Sequence, residues 1–225
     1  MYSIKVEQLV RHFGKNVAVD DVSFNVESGE IFGFLGPNGA GKTTTINMLT
    51  TLLRPTSGSA LVNGYDVSKQ QALVRQSIGM IFQDASLDDK LTGSENLLFH
   101  GMLYGLSADD FSDKAAKLLE MVELTGRAEE VVLNYSGGMK RRLEIARGLL
   151  HNPKILFLDE PTLGLDPQTR RHIWDYLITL RERQGVTMFM TTHYMEEAEH
   201  CDRIAIIDDG KIVGLDTPEA LKAMV

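Results

Sequence analysis

The consecutive residues Gly36-Pro37-Asn38-Gly39-Ala40-Gly41-Lys42-Thr43 carry glycines, a lysine and a hydroxyl at the spacing of a phosphate-binding loop. Glycines let backbone N–H groups close around an anion, and a following helix adds the positive end of its dipole. Lys42 would reach the outer phosphates of a nucleotide and the Thr43 hydroxyl would bind Mg²⁺, with Thr44 a further binding candidate in the first helical turn. A second constellation lies downstream, where the apolar run Ile155 to Leu158 ends in Asp159 and Glu160. Asp159 could hold the Mg²⁺ shell, while Glu160 could orient or deprotonate a water. Alone, such a pair of acids would read as a solvated turn; with a phosphate loop upstream, it becomes the acid that a nucleotide site requires.

These side chains need a scaffold. Val22, Phe24 and Val26 alternate with polar residues as a strand does, and Ile31 to Leu35 is a nearly continuous apolar run that feeds Gly36. A helix is expected from Lys42 to about Leu52, then short strands at Ala60 to Val62 and Ile78 to Phe82, ending at Gln83. Helical signals dominate from Ser94 to about His151, with Ser107 and Ser136 as cap candidates. Beyond them, apolar strands at Ile155 to Leu158, Val186 to Met190 and Ile204 to Ile207 alternate with helices from Pro167 and Tyr194, which predicts a parallel sheet with crossover helices.

The whole chain bounds the function. Its 225 residues suit one α/β domain, and 43% apolar with 24% charged residues excludes a disordered chain. A net charge of -8 offers no electrostatic footprint for DNA or RNA, so no nucleic-acid partner is expected. The single cysteine, Cys201, and the absence of a secretion signal point to the cytosol. No stretch reaches the length a membrane helix needs, so any membrane work would require another polypeptide to span the bilayer.

A third motif, Tyr135-Ser136-Gly137-Gly138-Met139, could by itself be no more than a capped helix start. Together with the two constellations above, it resembles the ATP-binding domain of ABC transporters, whose signature reads Leu-Ser-Gly-Gly-Gln. Ser136, Gly137 and Gly138 match it, whereas Tyr135 and Met139 depart from it. The resemblance extends to Phe13, Gln83, Leu165-Asp166 and His193. It implies an α/β fold of the P-loop NTPase type, with a mainly parallel core sheet, an antiparallel N-terminal β subdomain and a helical subdomain at about 86–152, all within one domain spanning 1–225.

The resemblance also implies roles. Phe13 would stack on adenine, Gln83 would touch Mg²⁺ or the attacking water, and His193 would hydrogen-bond the γ-phosphate. Two copies would pack head to tail as a homodimer, or with a homologous ATPase subunit. ATP on the phosphate loop of one copy would then be closed over by Ser136 and Gly138 of the other, and Asp166 would communicate between the sites. A separate transmembrane permease subunit would hold the chain on the inner face of the membrane.

The stretch 86–105 and the helix after Ser136 look like the branch that exports drugs, polysaccharides or lipids. An importer ATPase and a soluble ABC ATPase stand as alternatives, and a GTPase or kinase is disfavoured for want of its base-recognition or lid motifs. Leu87, Leu91, Leu97 and Phe99 are candidates for the wall of a groove that receives the permease, or else for the subdomain's own core. Trp174 is expected in the core with Leu177 and Ile178, and Lys140-Arg141-Arg142 on a solvated helix face.

Overall fold

A computed structural model describes residues 1–83 and 86–224. Strand β1 (Tyr2–Phe13) pairs antiparallel with β2 (Asn16–Glu27) and with β4 (Ser57–Val62), and β5 (Tyr65–Asp66) completes a four-stranded sheet in the order β2-β1-β4-β5. A second sheet has six strands in the order β10-β9-β3-β8-β7-β6. Its parallel members are β3 (Ile31–Leu35), β6 (Ile78–Ile81), β7 (Ile155–Asp159), β8 (Thr187–Thr192) and β9 (Arg203–Asp208). Strand β10 (Lys211–Asp216) lies antiparallel on the edge beside β9.

Every residue of β3, β7 and β8 is buried, as expected of parallel strands covered on both faces. Alternation along β3 divides the core. Phe32 and Phe34 join Phe24, Phe157 and Phe189 between the two sheets, with ring centroids 5.4 to 5.8 Å apart. Ile31 and Leu35 face the opposite layer, which holds Leu158, Trp174, Leu177 and Met190. Packing dominated by phenylalanine rings on one side and largely aliphatic packing on the other hold the end of β3 in place, and the phosphate loop begins there.

Helix α1 (Lys42–Leu49) follows the loop, and α2 (Gln71–Ser77) precedes β6. Between β6 and β7 run α3 (Gly93–Leu103), α4 (Ala108–Met121) and α5 (Gly137–Leu149). Their starts are encoded locally. Thr92 and Glu95 form a capping box at α3, Ser107 caps α4, and Ser136 Oγ accepts from Met139 N at 3.2 Å to cap α5. Helix α6 (Pro167–Gln184) starts at Asp166 and stops at Gly185 in the left-handed conformation, while α7 (Met195–Ala198) and α8 (Pro218–Lys222) are short.

Candidate nucleotide-binding site

The ends of β3, β7 and β8 converge on one cavity of about 350 Å³, lined by Asn38, Gly39, Gly41, Lys42, Thr43, Thr44, Gln83, Glu160, Leu163 and His193. The loop over it has little room for side chains. A Cβ on Gly36 would stand 2.3 Å from the carbonyl of Ile207, and Gly41, at φ 105°, would place one 2.5 Å from that of Ala18. Only glycine meets both the close approach and the left-handed backbone. Pro37, Asn38 and Gly39 are exposed at the turn, and Ala40 is buried behind it.

Lys42 is 5% exposed and curls back, donating to the carbonyls of Gly36 at 2.8 Å and Pro37 at 3.1 Å. Its ammonium also stands 3.3 Å from Glu160 Oε1. On the other side of Glu160, His193 Nδ1 lies 3.0 Å from Oε2, close enough to interact but out of line for a hydrogen bond. Glu160 is itself 8% exposed and has φ +47°, a conformation that non-glycine residues seldom adopt and that concentrates at functional sites. Its amide is held by Thr191, through the carbonyl at 3.2 Å and the hydroxyl at 3.0 Å.

Next to this carboxylate, Thr43 Oγ1 donates to Asp159 Oδ1 at 3.3 Å, and Thr191 donates to the same oxygen. A hydroxyl and a carboxylate side by side at a phosphate loop are hard oxygen donors that fit Mg²⁺ completed by phosphate oxygens and water. With exposed Gln83 on the rim, the arrangement can hold a polyphosphate, place a divalent ion beside it and offer a carboxylate to a water.

Other predicted residues lie elsewhere. Ser136 and Gly138 line a different cleft with Glu123, Met139, Arg142, Thr169 and His172. Gly137 is exposed at the helix start. Asp166 is an exposed N-cap: Oδ1 accepts from the amides of Gln168 and Thr169, both at 3.0 Å, and Oδ2 from the Thr169 hydroxyl at 2.6 Å. The Thr169 hydrogen bonds hold its carboxyl below the usual aspartate range. Phe13 is 47% exposed at the end of β1 and is not among the residues lining the cavity; the Arg11 guanidinium covers one face of its ring at 4.6 Å.

Residues 19–163 match the family described as ABC transporter. The chain is an ABC transporter ATP-binding domain. It is 45% identical over 215 residues to the linearmycin resistance ATP-binding protein LnrL of Bacillus subtilis, covering 95% of this chain and 69% of that protein. To the doxorubicin resistance ATP-binding protein DrrA of Mycobacterium tuberculosis (strain H37Rv) it is 49% identical over 210 residues, covering 93% of this chain and 63% of that one. The probable multidrug ABC transporter ATP-binding protein YbhF of Escherichia coli is 45% identical over 220 residues, 98% of this chain and 38% of that protein. The ABC domain thus spans 38% to 69% of the length of these three relatives.

Among solved structures, cbiO1 of Clostridium perfringens, part of the ABC transporter complex cbiONQ, superposes with a TM-score of 0.91 at 28% identity, over 99% of this chain and 91% of that one. A dimeric ATP-binding cassette in a post-hydrolysis state, bound to ADP and Pi, matches with a TM-score of 0.85 at 28% identity, over 96% and 98% of the two chains. The mixed α/β architecture expected from the sequence is that of these neighbours.

Some charged residues of this ABC domain escape sequence reading. Arg141 is 6% exposed, so the Lys140-Arg141-Arg142 run is not a uniformly solvated face. Lys140 and Arg142 pair at its edge with Asp89 and Glu123, at 2.6 and 3.1 Å, while Arg141 turns inward because α5 packs that side against the sheet. Glu197, 2% exposed, accepts from the hydroxyls of Thr192, at 2.6 Å, and Thr162, and burial raises its pKa above the ordinary glutamate value. It ties the segment before His193 to the turn after Glu160, and no motif pointed to it.

Proposed function

We propose that the chain is the ATP-hydrolysing subunit of an ABC exporter, working as a head-to-tail dimer on a separate membrane permease. The observation that carries this reading is the division of its motifs between two clefts. The phosphate loop, Asp159, Glu160, Gln83 and His193 gather in or beside one cavity, while Ser136 and Gly138 line another. A two-fold dimer would bring the signature of one copy to the phosphate loop of the other, with two helix N-termini aimed at the same phosphates. The dimeric form of a solved neighbour bound to ADP and Pi supports that assembly.

On this reading the amides from Asn38 to Thr44 and the Lys42 ammonium bind the phosphates. Mg²⁺, held by Thr43 and Asp159 with Gln83 nearby, would neutralise charge on the phosphate oxygens. Nucleotide phosphates would draw Lys42 away from Glu160, leaving the carboxylate to take a proton from the attacking water, while His193 steadies the γ-phosphate. Phe13 would offer adenine the ring face that Arg11 leaves open.

The drug-resistance and multidrug names of the relatives support export. Attachment to a permease fits the absence, among the described residues, of any helix long and apolar enough to cross a membrane. The docking surface would be the side of α3 where Leu98, Phe99, Met102 and Leu103 are exposed, beside a cavity of about 330 Å³ that includes Leu52, Phe82 and Tyr104. Leu97, fully buried, belongs to the core, and Leu87 packs against it; Leu91 is half-buried, and Phe99, 60% exposed, remains a groove candidate. Phe99→Asp and Met102→Asp should leave melting temperature and basal ATPase unchanged and abolish both co-purification of the permease and drug efflux. Normal efflux by both variants would remove this docking surface. Wild-type chain that binds and hydrolyses no ATP would remove the enzymatic reading.

A further inference from the structure

The buried guanidinium of Arg141 meets three successive carbonyl groups. Its Nε donates to Pro161 O at 2.6 Å, and Nη2 reaches Glu160 O at 3.3 Å and Asp159 O at 3.4 Å. Nη1 donates to Phe82 O at 2.5 Å and to Glu144 Oε2 at 3.0 Å. Glu144 is 2% exposed, and its other oxygen, Oε1, accepts from Ser86 N at 2.8 Å. One ion pair on α5 therefore holds the backbone through the Glu160 turn and, by Phe82 and Ser86, both sides of the Gln83 segment.

We infer that Arg141 and Glu144 are a positioning pair for hydrolysis, fixing the separation of Glu160 from Gln83 and linking both to the helix that begins at the signature. The left-handed residue at 160 belongs to a turn whose three successive carbonyls share the Arg141 fork, and a planar cation with five donors can meet them together where an ammonium cannot. Burial lowers the pKa of Arg141 from the ordinary arginine value, and Glu144 opposes that shift; an arginine guanidinium keeps its proton in proteins. Removing either partner would leave the other's charge buried without its counterion. Because the fork touches only backbone near Glu160, its loss should move the carboxylate while leaving the phosphate loop intact.

This inference rests on the chain being an ATPase, and the experiment separates the two. Wild type, Glu160→Gln, Arg141→Met, Arg141→Lys and Glu144→Gln are compared for kcat and KM in Mg-ATP hydrolysis, for affinity toward trinitrophenyl-ATP, and for melting temperature. A catalytic group displaced by about an ångström costs up to roughly 10²-fold in rate. Arg141→Met and Arg141→Lys should therefore lose roughly 10- to 10²-fold in kcat, with KM and nucleotide affinity within about threefold of wild type. Glu144→Gln, which keeps an acceptor for Ser86 N, should lose less. If Arg141→Met does not fold, the lysine and glutamine variants decide the matter by the same split. Folded variants with wild-type kcat, or losses of kcat and affinity in step with melting temperature, would overturn the positioning role alone. A wild type without ATPase activity would overturn the ATPase reading and this inference together.

Discussion

The two ends of the nucleotide machinery differ in how complete they are. At the phosphate loop, charged groups are buried and already answered: Lys42 is 5% exposed against Glu160, and Thr43 and Thr191 both meet Asp159. At the signature, Ser136 and Gly137 are exposed, and the Ser136 hydroxyl does no more than cap its own helix. A buried ion pair is costly unless both partners stay, so the first region must hold its geometry without ligand. The second has nothing to hold except an open helix N-terminus, which is how a surface that completes someone else's site should look. On the proposed dimer, the difference separates what one chain folds to make from what two chains would assemble.

The sharpest way to break that comparison is Glu160→Gln. Loss of a positioned general base costs roughly 10²- to 10⁴-fold in turnover, whereas ATP binding should persist and an ATP-dependent dimer should accumulate in sizing chromatography. A monomeric variant that still hydrolyses ATP would refute the assignment. Next in size is the contrast between Lys42→Ala and Ser136→Arg. The first should abolish ATP binding by the isolated chain, measured by equilibrium titration; the second should preserve binding and block hydrolysis. Equal loss of binding would place both residues in one site.

Stability tests the same contrast on a smaller scale. Lys42→Ala leaves Glu160 buried beside His193 only, so its melting temperature should fall, and Lys42→Ala with Glu160→Gln should recover most of the fall. Ser136→Ala should cost about 1 kcal/mol, the worth of a helix cap, or roughly 2 to 4 °C in a domain of this size.

How much of this was legible depended on whether a feature was local. The phosphate loop, the Asp159-Glu160 strand end and the caps at Ser107 and Ser136 are short patterns whose physics is contained in a few residues. Strand β3 announced itself because both of its faces are buried. Arg141 was not legible: an arginine between Lys140 and Arg142 reads as solvent-facing, and only the packing of α5 against the Glu160 turn assigns it an interior role. Glu197 was hidden for the same reason, since its partners Thr162 and Thr192 come from separate strand ends. Leu97 and Phe99, two residues apart on one helix, shared a sequence reading although only the helix's orientation decides that the first is buried and the second exposed.

The smallest expected effect on the nucleotide site lies away from both motifs. Burial, reinforced by Arg147 and His151, lowers the pKa of His100 to about 4 from 6.5, while in the unfolded chain it titrates near its ordinary value. The unfolded state therefore binds the extra proton first, and stability present above pH 6.5 declines as pH falls toward 4. His100→Gln should flatten the melting-temperature profile over that window, read by thermal scans at half-unit steps, with no change in nucleotide affinity.

The claim that one nucleotide site is built from two chains can be measured directly by cross-linking. Cys201, the only cysteine, is 5% exposed and leaves the surface free of competing thiols. A Cβ at Gly137 would meet nothing closer than Leu165 at 3.8 Å, so Gly137→Cys fits, and Asn38 is exposed on the phosphate loop. Asn38→Cys and Gly137→Cys are placed on separate chains, each carrying Glu160→Gln, and mixed under mild oxidation with and without ATP. A disulfide-linked dimer that forms only in the mixture and only with ATP is the predicted result; no ATP-dependent link, or the same link in each variant alone, would contradict a site shared head to tail.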